Sequence, residues 1–289
     1  MREAFIAHAR GEWTMPPKVY VANYPAGDFR AMPALGGGHA LLKWVTSFPG
    51  NPARGLPTVT GLVLLSDSED GRLLAILDAA AVTALRTAAA AVLAAHTLGR
   101  PDAASHAVIG CGVNGAETAR MFVAQGAKPL VWDVDESRRL EVADRLGVGV
   151  ARTAEEALAC DVVATVTPGF QILYGAGSLR AGQHVSLMGA DGPGKAEVAI
   201  EELRGARLFC DDWEQASHGG ELAAAVETGA VTRGDVTELG AVLTGAAEAR
   251  QSASDITLFD STGLAIQDLA IAKAAYARAG ELDLRHLEL

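Results

Sequence analysis

Two sets of residues in this chain have the types and spacing to do chemistry. The first is a glycine run, Ile109-Gly110-Cys111-Gly112-Val113-Asn114-Gly115, followed by an acid, Asp133, after Val131-Trp132. Gly110 permits a tight turn, Gly112 lets the backbone approach a pyrophosphate, and Gly115 lets a helix pack closely on a strand. The helix N-terminus after the run offers free N–H groups to phosphate, so Val113 and Asn114 belong to the same cofactor site. Asp133, roughly 20 residues past the first glycine, suits the two hydroxyls of an adenosine ribose. Its charge repels a 2′-phosphate and favours NAD(H), with NADP(H) the lesser option. Arg138 and Arg139 either soften that preference or are exposed helix residues. A bare G-x-G-x-x-G is a weak signal in a chain with 32 glycines; strand, turn, helix, strand and acid in that order is a strong one.

The second set is basic, Lys18, Lys43 and Arg86, with one acid, Asp191. Each has two readings. Lys43 interrupts the apolar run Leu41-Leu42-Lys43-Trp44-Val45, either as an edge residue whose ammonium reaches water or as a ligand for an anion. Arg86 interrupts an Ala-rich helix, with a planar fork suited to a carboxylate or to a salt bridge at a domain junction. Asp191 lies just after an apolar strand, where an α/β sheet opens its crevice, yet an Asp before Gly192 also suits an Asx turn. Lys18 follows Met15-Pro16-Pro17 and is a substrate contact or a surface residue at a strand start.

The elements that must position these residues fall into two textures. Before Ser105, strands are expected at Lys18–Ala22, Ala40–Ser47, Thr58–Ser66 and Leu73–Asp78, separated by Gly/Pro-bearing turns, which is a mostly antiparallel sheet. A long helix from about Ala79 to Leu98 follows. From Ser105 onward, strands at His106–Gly110, Pro129–Asp133, Gly147–Ala151, Asp161–Val166, His184–Gly189 and Ala206–Cys210 alternate with helices. Those helices are expected at Ala116–Gln125, Glu136–Leu146, Thr153–Ala159 and Glu197–Leu203. Such alternation means βαβ units and a doubly wound parallel sheet of Rossmann type. After Glu238 come a helix (Leu239–Leu243), a short strand (Ile256–Phe259) and a helix from near Gly263 to Ala279 that should return to the first domain. The fold class is therefore α/β, a Rossmann-type sheet plus a smaller antiparallel α+β domain. The expected division is residues 1–98 with 263–289 around residues 99–262.

At 289 residues, 49% hydrophobic and 20% charged, the chain has the composition of a packed globule of up to two domains. A net charge of −11 with no basic cluster argues against nucleic acid or an anionic membrane as partner. The Ala79–Ala95 run, broken by Arg86, reads as too short and too weakly apolar to cross a membrane, and no segment of signal-peptide type opens the chain. Three scattered cysteines suit buried thiols in a reducing cytoplasm. The seven histidines form no H-x-x-x-H or H-E-x-x-H pair, and no metal is expected.

Further segments carry a resemblance: Met32-Pro33-Ala34, Lys43 through Pro52, Gly55-Leu56-Pro57-Thr58, Thr83 through Ala89, Gly189 through Lys195, and Asp255 through Phe259 with Ser261-Thr262-Gly263-Leu264. With the glycine run they resemble, in order and over nearly the whole chain, the ornithine cyclodeaminase and mu-crystallin family. The resemblance implies a homodimer built through the first domain, with a site for a small amino or imino acid between that domain and the nicotinamide. It places Lys18, Met32, Lys43 and Arg86 on the substrate, with Lys43 and Asp191 catalytic and Asp191 as general acid/base. It adds Thr87, Thr167, Gly189, Ser261 and Gly263 to the cofactor site. Lys43 and Arg86 are expected to stand near Asp191 and keep it ionised, while burial pushes its pKa upward. The family usually has arginine where Lys18 stands and a further strand ahead of the helix that Arg2-Glu3-Ala4-Phe5-Ile6-Ala7 resembles, which bears on the dimer contact. Three activities follow: hydride transfer at the α-carbon of an amino or imino acid, cyclodeamination of a diamino acid such as ornithine, or ligand binding without turnover. The run Thr46-Ser47-Phe48-Pro49-Gly50-Asn51 is closer to the reductase and dehydrogenase members.

Overall fold

The computed structural model describes residues 1–192 and 194–286; Pro193, in the Gly189–Lys195 segment, and residues 287–289, at the end of the expected first domain, lie outside the described residues. Helix α1 (Arg2–Ala9) precedes five strands, β1 (Val19–Asn23), β2 (Gly27–Gly36), β3 (His39–Ser47), β4 (Val59–Asp67) and β5 (Leu73–Asp78), which pair in that order as an antiparallel sheet. Along β3 the side chains alternate: Leu41, Lys43 and Val45 are buried while Leu42 and Trp44 are exposed. One face of the sheet therefore carries the core and the site.

Strand β2 is absent from the four strands expected from sequence. Pro33 and the glycines at its end mask it, because proline cannot donate to a ladder. The ladder to β1 ends at Val19↔Ala31 and the next contact on that side is the Thr14–Leu35 bridge, so Pro33 falls in the gap between them. On the other side β2 pairs with β3 without interruption.

Helix α2 (Ala79–Leu98) starts where Asp78 accepts the Ala81 N–H at 2.7 Å. At 20 residues and a mean hydropathy of 1.4 it is long and apolar enough to cross a membrane, contrary to the sequence reading. Its surroundings make it a core helix. Ala88, Ala90, Ala91, Ala94 and Leu98 are fully buried, and α2 packs on the helix after β6 and on the last helix of the chain. Alanine on both sides permits that close approach.

The second sheet is all parallel. It is built from β6 (His106–Ile109), β7 (Leu130–Trp132), β8 (Gly149–Val150), β9 (Val162–Thr165), β10 (His184–Leu187), β11 (Arg207–Cys210), β12 (Val236–Glu238) and β13 (Thr257–Asp260). Their spatial order is β12-β11-β13-β10-β9-β6-β7-β8. The helices between them are α3 (Val113–Ala124), α4 (Glu136–Leu146), α5 (Ala154–Leu158), α6 (Ile200–Leu203), α7 (Trp213–Gly219), α8 (Ala223–Glu227) and α9 (Leu239–Leu243), and α10 (Ala265–Ala277) closes the described chain apart from a short turn. The strand order reverses at β6, between β7 and β9, and the crevice of a doubly wound sheet opens there.

Several sequence boundaries shift for physical reasons. Helix α3 begins at Val113 rather than Ala116, because Gly112 already serves as its N-cap. Helix α6 begins at Ile200 rather than Glu197, because the Glu197 side chain is committed elsewhere. Strand β8 is only two residues long, and β12, α7 and α8 were not foreseen. Helix α10 runs back over β2, β3 and α2, and one buried cluster is continuous from the antiparallel sheet through α10 and α2 into one face of the parallel sheet. A second cluster fills the other face.

Candidate active site

The glycine run stands where β6 turns into α3. Gly110 has φ +97°, and a Cβ there would come within 2.5 Å of the Val166 carbonyl; a Cβ on Gly115 would collide with the Gly110 carbonyl. Those two glycines are required by the fold itself. Gly112 is not, since its φ is −69° and nothing lies within 4 Å of a Cβ built on it. The space it leaves is free for a ligand to approach the backbone. Around that space is a cavity of about 990 Å³ lined by Gly110, Gly112, Val113, Asn114, Asp133, Arg138 and Thr167 among others. Asp133 is buried and held by two backbone donors, Cys111 N–H at 2.6 Å and Asp135 N–H at 2.8 Å, which fixes an anion at the end of β7. Arg138 lines the same cavity but pairs with Asp135 at 3.3 Å, and Arg139 donates to the Asp133 carbonyl.

A second cavity, about 100 Å³, adjoins the first, and Val59, Thr83 and Asn114 line both. Lys18, Arg30, Met32, Lys43, Arg86, Thr87, Asp191 and Ser261 surround it. All four substrate residues expected from sequence are thus brought together, with Arg30 added. Lys43 is 1% exposed; its ammonium donates to Asp268 Oδ1 at 2.9 Å and to Thr83 Oγ1 at 3.3 Å. Burial pulls its pKa down to about 8 against the opposing pull of Asp268. Arg86 Nε lies 3.7 Å from Asp268 and has no hydrogen-bond partner. Lys18 donates to the Thr262 carbonyl at 2.6 Å and pairs with no carboxylate among the described residues; burial brings it, too, to about 8. The Lys43 reading as an edge residue reaching water is therefore excluded, while Lys18, half-buried just ahead of β1, turns its ammonium inward to the Thr262 carbonyl.

Asp191 differs from the sequence reading in its partners, while the two opposing pulls expected on its pKa are both present. It is paired with Arg30 at 2.8 Å and Lys195 at 2.5 Å, not with Lys43 and Arg86. Burial pushes its carboxyl up, but Arg30 and Lys195 outweigh burial and hold it well below the usual carboxylate range. Asp28 anchors Arg30 from behind at 2.6 Å.

The remaining expected cofactor residues divide. Thr87 Oγ1 is buried without a partner, an orphaned donor and acceptor at the second cavity. Thr167 lines the large cavity, but its hydroxyl donates to Glu197 Oε1 at 2.6 Å. Gly189 lines neither cavity; its N–H donates to Glu197 Oε2 at 3.2 Å, and the Glu197 carboxylate fills the space a Cβ would take. Ser261 and Gly263 donate to the buried Asp211 at 3.1 and 2.8 Å. Gly263 also has φ +78° and leaves room for the Arg86 guanidinium, 2.5 Å from where a Cβ would stand. These glycines shape the site from behind.

Sequence reasoning missed Arg30, Lys195, Glu197 and Asp268 as site residues, and offered Asp211, with Asp212, only as a substitute acid for Asp191. Arg30 carried a signal: it stands two residues before Met32, so any strand there puts both on one face. Asp268 carried another, as an acid inside the apolar stretch Ala265-Ile266-Gln267-Asp268-Leu269-Ala270. Glu197 looked like a helix start.

A doubly wound sheet with a dinucleotide-sized cavity opening onto a small cationic one defines a nucleotide-fold protein with a site for a small anion. The sequence profile of the ornithine cyclodeaminase/mu-crystallin family matches residues 1–282, and the chain belongs to that family. An alanine dehydrogenase of Archaeoglobus fulgidus is 42% identical over 96% of this chain and 88% of its own length. Among solved structures, an archaeal alanine dehydrogenase dimer with bound NAD superposes with a TM-score of 0.91 at 42% identity, over 97% of this chain and 89% of that one. The Thermococcus litoralis Δ1-pyrroline-2-carboxylate reductase, in complex with NADH and L-proline, superposes with a TM-score of 0.90 at 27% identity, over 97% and 91%.

Proposed function

We propose that the protein is an NAD(H)-dependent oxidoreductase that moves a hydride to or from the α-carbon of a small amino or imino acid. The observation that carries this reading is the junction of the two cavities at Val59, Thr83 and Asn114, which puts a cation-lined pocket against the deep end of a dinucleotide cavity. The residues fit the cofactor: Gly112 leaves its backbone open and Asp133 is a fixed acid for ribose hydroxyls, while Thr87 offers an unpaired hydroxyl in the adjoining cavity. NAD(H), when bound, supplies the hydride acceptor or donor. The similarity to NAD- and NADH-bound relatives supports the same choice.

Lys18, Lys43 and Arg86 hold the substrate carboxylate and Met32 forms an apolar wall. Asp191, kept ionised by Arg30 and Lys195, faces the substrate nitrogen as an acceptor. The small second cavity suits a short side chain better than the long ω-amino chain that cyclodeamination requires. Residues 1–98 and 263–289 form the substrate part and residues 99–262 the dinucleotide part; in support, Lys18, Arg30, Lys43 and Arg86 all come from the former and the glycine run from the latter. The protein acts as a homodimer through the outer face of the antiparallel sheet, where Leu35, Leu42, Trp44, Leu62 and Ile76 are exposed, an apolar surface a lone chain rarely presents. Three buried free thiols suit the cytoplasm.

The test is to follow NADH absorbance with a panel of 2-keto acids plus ammonia, and NAD with the matching amino acids. Net cofactor turnover with a short-chain substrate is the expected result. Ammonia release from a diamino acid without net NADH change would replace this reading with cyclodeamination.

A further inference from the structure

Behind two cations of the substrate cavity lies a buried carboxylate that neither the glycine run nor the reading above accounts for. Asp268 is fully buried on the first turn of α10. It touches the two cations that the cavity presents from different elements, Lys43 of β3 and Arg86 of α2. Its Oδ1 accepts from Lys43 at 2.9 Å, and Oδ2 lies at 2.8 Å outside hydrogen-bond geometry. The segment ahead of it is fitted to Arg86 and to a third cation, Lys18. The Thr262 carbonyl accepts from Lys18, and Gly263 makes room for the Arg86 guanidinium. Asp211 pins that segment through Ser261, Thr262 and the Gly263 N–H.

We propose that Asp268 is the positioning residue of the substrate cavity: its carboxylate supplies the counter-charge that keeps the Lys43 ammonium charged and aims Lys43 and Arg86 together at a substrate carboxylate. The proposal rests on the oxidoreductase reading for what the cavity binds. Asp268 itself has no exposure and acts only through the two cations. An ammonium has three donors. Asp268 and Thr83 take two of them, which leaves the third N–H for a ligand. The groups facing Lys43 are Asp268 from α10, Thr83 and Arg86 from α2, Arg30 from β2 and the apolar Val63 from β4. Among the charged ones, Arg30 and Arg86 lower the Lys43 pKa, and Asp268 alone raises it.

The sign follows. Carboxylate binding needs Lys43 protonated and fades as pH rises through its folded pKa of about 8. Removing Asp268 lowers that pKa further, so the penalty grows with pH and shrinks on acidification, where Lys43 is charged in both proteins.

The experiment measures pyruvate binding to the NADH-loaded enzyme without ammonia, by NADH fluorescence, across neutral to alkaline pH. In wild type, binding should weaken above about pH 8. Asp268→Asn should weaken pyruvate by ~30–100-fold at the alkaline end and by only a few fold at the acid end, with NADH affinity unchanged. A packing role would instead lower binding equally at all pH and lower NADH affinity with it. Because Asp268→Asn leaves a buried ammonium without its partner, Lys43→Met and the Lys43→Met/Asp268→Asn double variant accompany it. If Asp268 acts through Lys43, the second substitution adds little to the first. A pH dependence of Asp268→Asn that parallels wild type, or additive losses in the double variant, overturns the assignment of Asp268. Failure of wild type to bind pyruvate or any short 2-keto acid overturns the reading of the cavity instead.

Discussion

The two cavities are built by opposite means. The dinucleotide cavity is made of main chain: Gly110 and Gly115 satisfy the fold, Gly112 leaves room, and one acid, Asp133, is tied by neighbouring N–H groups. Its central parts come from one stretch, from β6 to the end of β7. The substrate cavity is made of charged side chains drawn from the segment ahead of β1, from β2, β3 and α2, and from Asp191 after β10, and each cation sits against something that compensates it, Asp268 of α10 doing so from behind the lining. Backbone can line a cavity without counter-ions, whereas buried charges require partners. Substitutions in the second cavity should therefore act on substrate and catalysis, and substitutions in the first on the cofactor alone.

The largest effect that could break this contrast is at Asp191. Asp191→Asn leaves Arg30 and Lys195 without their shared anion and removes the group proposed to accept from the substrate nitrogen. The turnover number should fall by ~10²–10⁴-fold while NADH titration is unchanged. Near-full activity would remove Asp191 from the mechanism, and Asp211, buried behind Ser261 and Gly263, becomes the next acid to test.

Arg86→Lys should raise the substrate KM by roughly one to two orders of magnitude with cofactor affinity unmoved, since charge is kept and the fork is lost. Unchanged KM with a lower Tm would mean that Arg86 is only the partner of Asp268 at the junction of the sheets.

A third prediction tests the joint between the regions. His184 is fully buried, with Thr257 Oγ1 and Ser186 Oγ at 2.9 Å from its two ring nitrogens, and those hydroxyls also lie within hydrogen-bond distance of the α2 carbonyls of Leu98 and Ala91. Burial lowers its pKa to about 3, with Arg250 adding to the shift. A depressed histidine pKa means that the unfolded chain binds the proton first, so stability is lost as pH falls from about 6.5 towards 3. At pH 5 the loss from this group is about 2 kcal/mol. His184→Gln should flatten that part of a Tm-against-pH curve, and an unaltered slope would refute the assignment.

The smallest effect is on cofactor choice. Asp133→Ala should narrow the preference for NADH over NADPH by about tenfold, the worth of one charged contact, without altering the substrate KM in saturating cofactor. A change in substrate KM there would mean that the cavities are not independent.

How much of this was legible follows the same division. Gly110, Gly112, Gly115 and Asp133 were readable because their spacing along the chain is their geometry. Lys43 and Arg86 were readable as interruptions of apolar periodicity, but their common partner was not, because Asp268 lies 225 residues from Lys43. Arg30 was lost with strand β2, where Pro33 hid an extended segment whose missing N–H costs the sheet nothing.

By itself the sequence determined the alternation of strands and helices, the nucleotide turn, the parallel sheet and the basic residues Lys18, Lys43 and Arg86 that line the second cavity. All of these follow from periods of two and 3.6 residues and from the backbone freedom of glycine, which act locally. The tertiary structure alone decided which acid meets which base. Asp191 went to Arg30 and Lys195, and Lys43 with Arg86 went to Asp268. The reason is that a charge drawn out of bulk water takes whatever counter-charge the packing brings within about 4 Å, and for Lys43 and Arg86 that choice depends on how α10 crosses the antiparallel sheet rather than on any spacing along the chain.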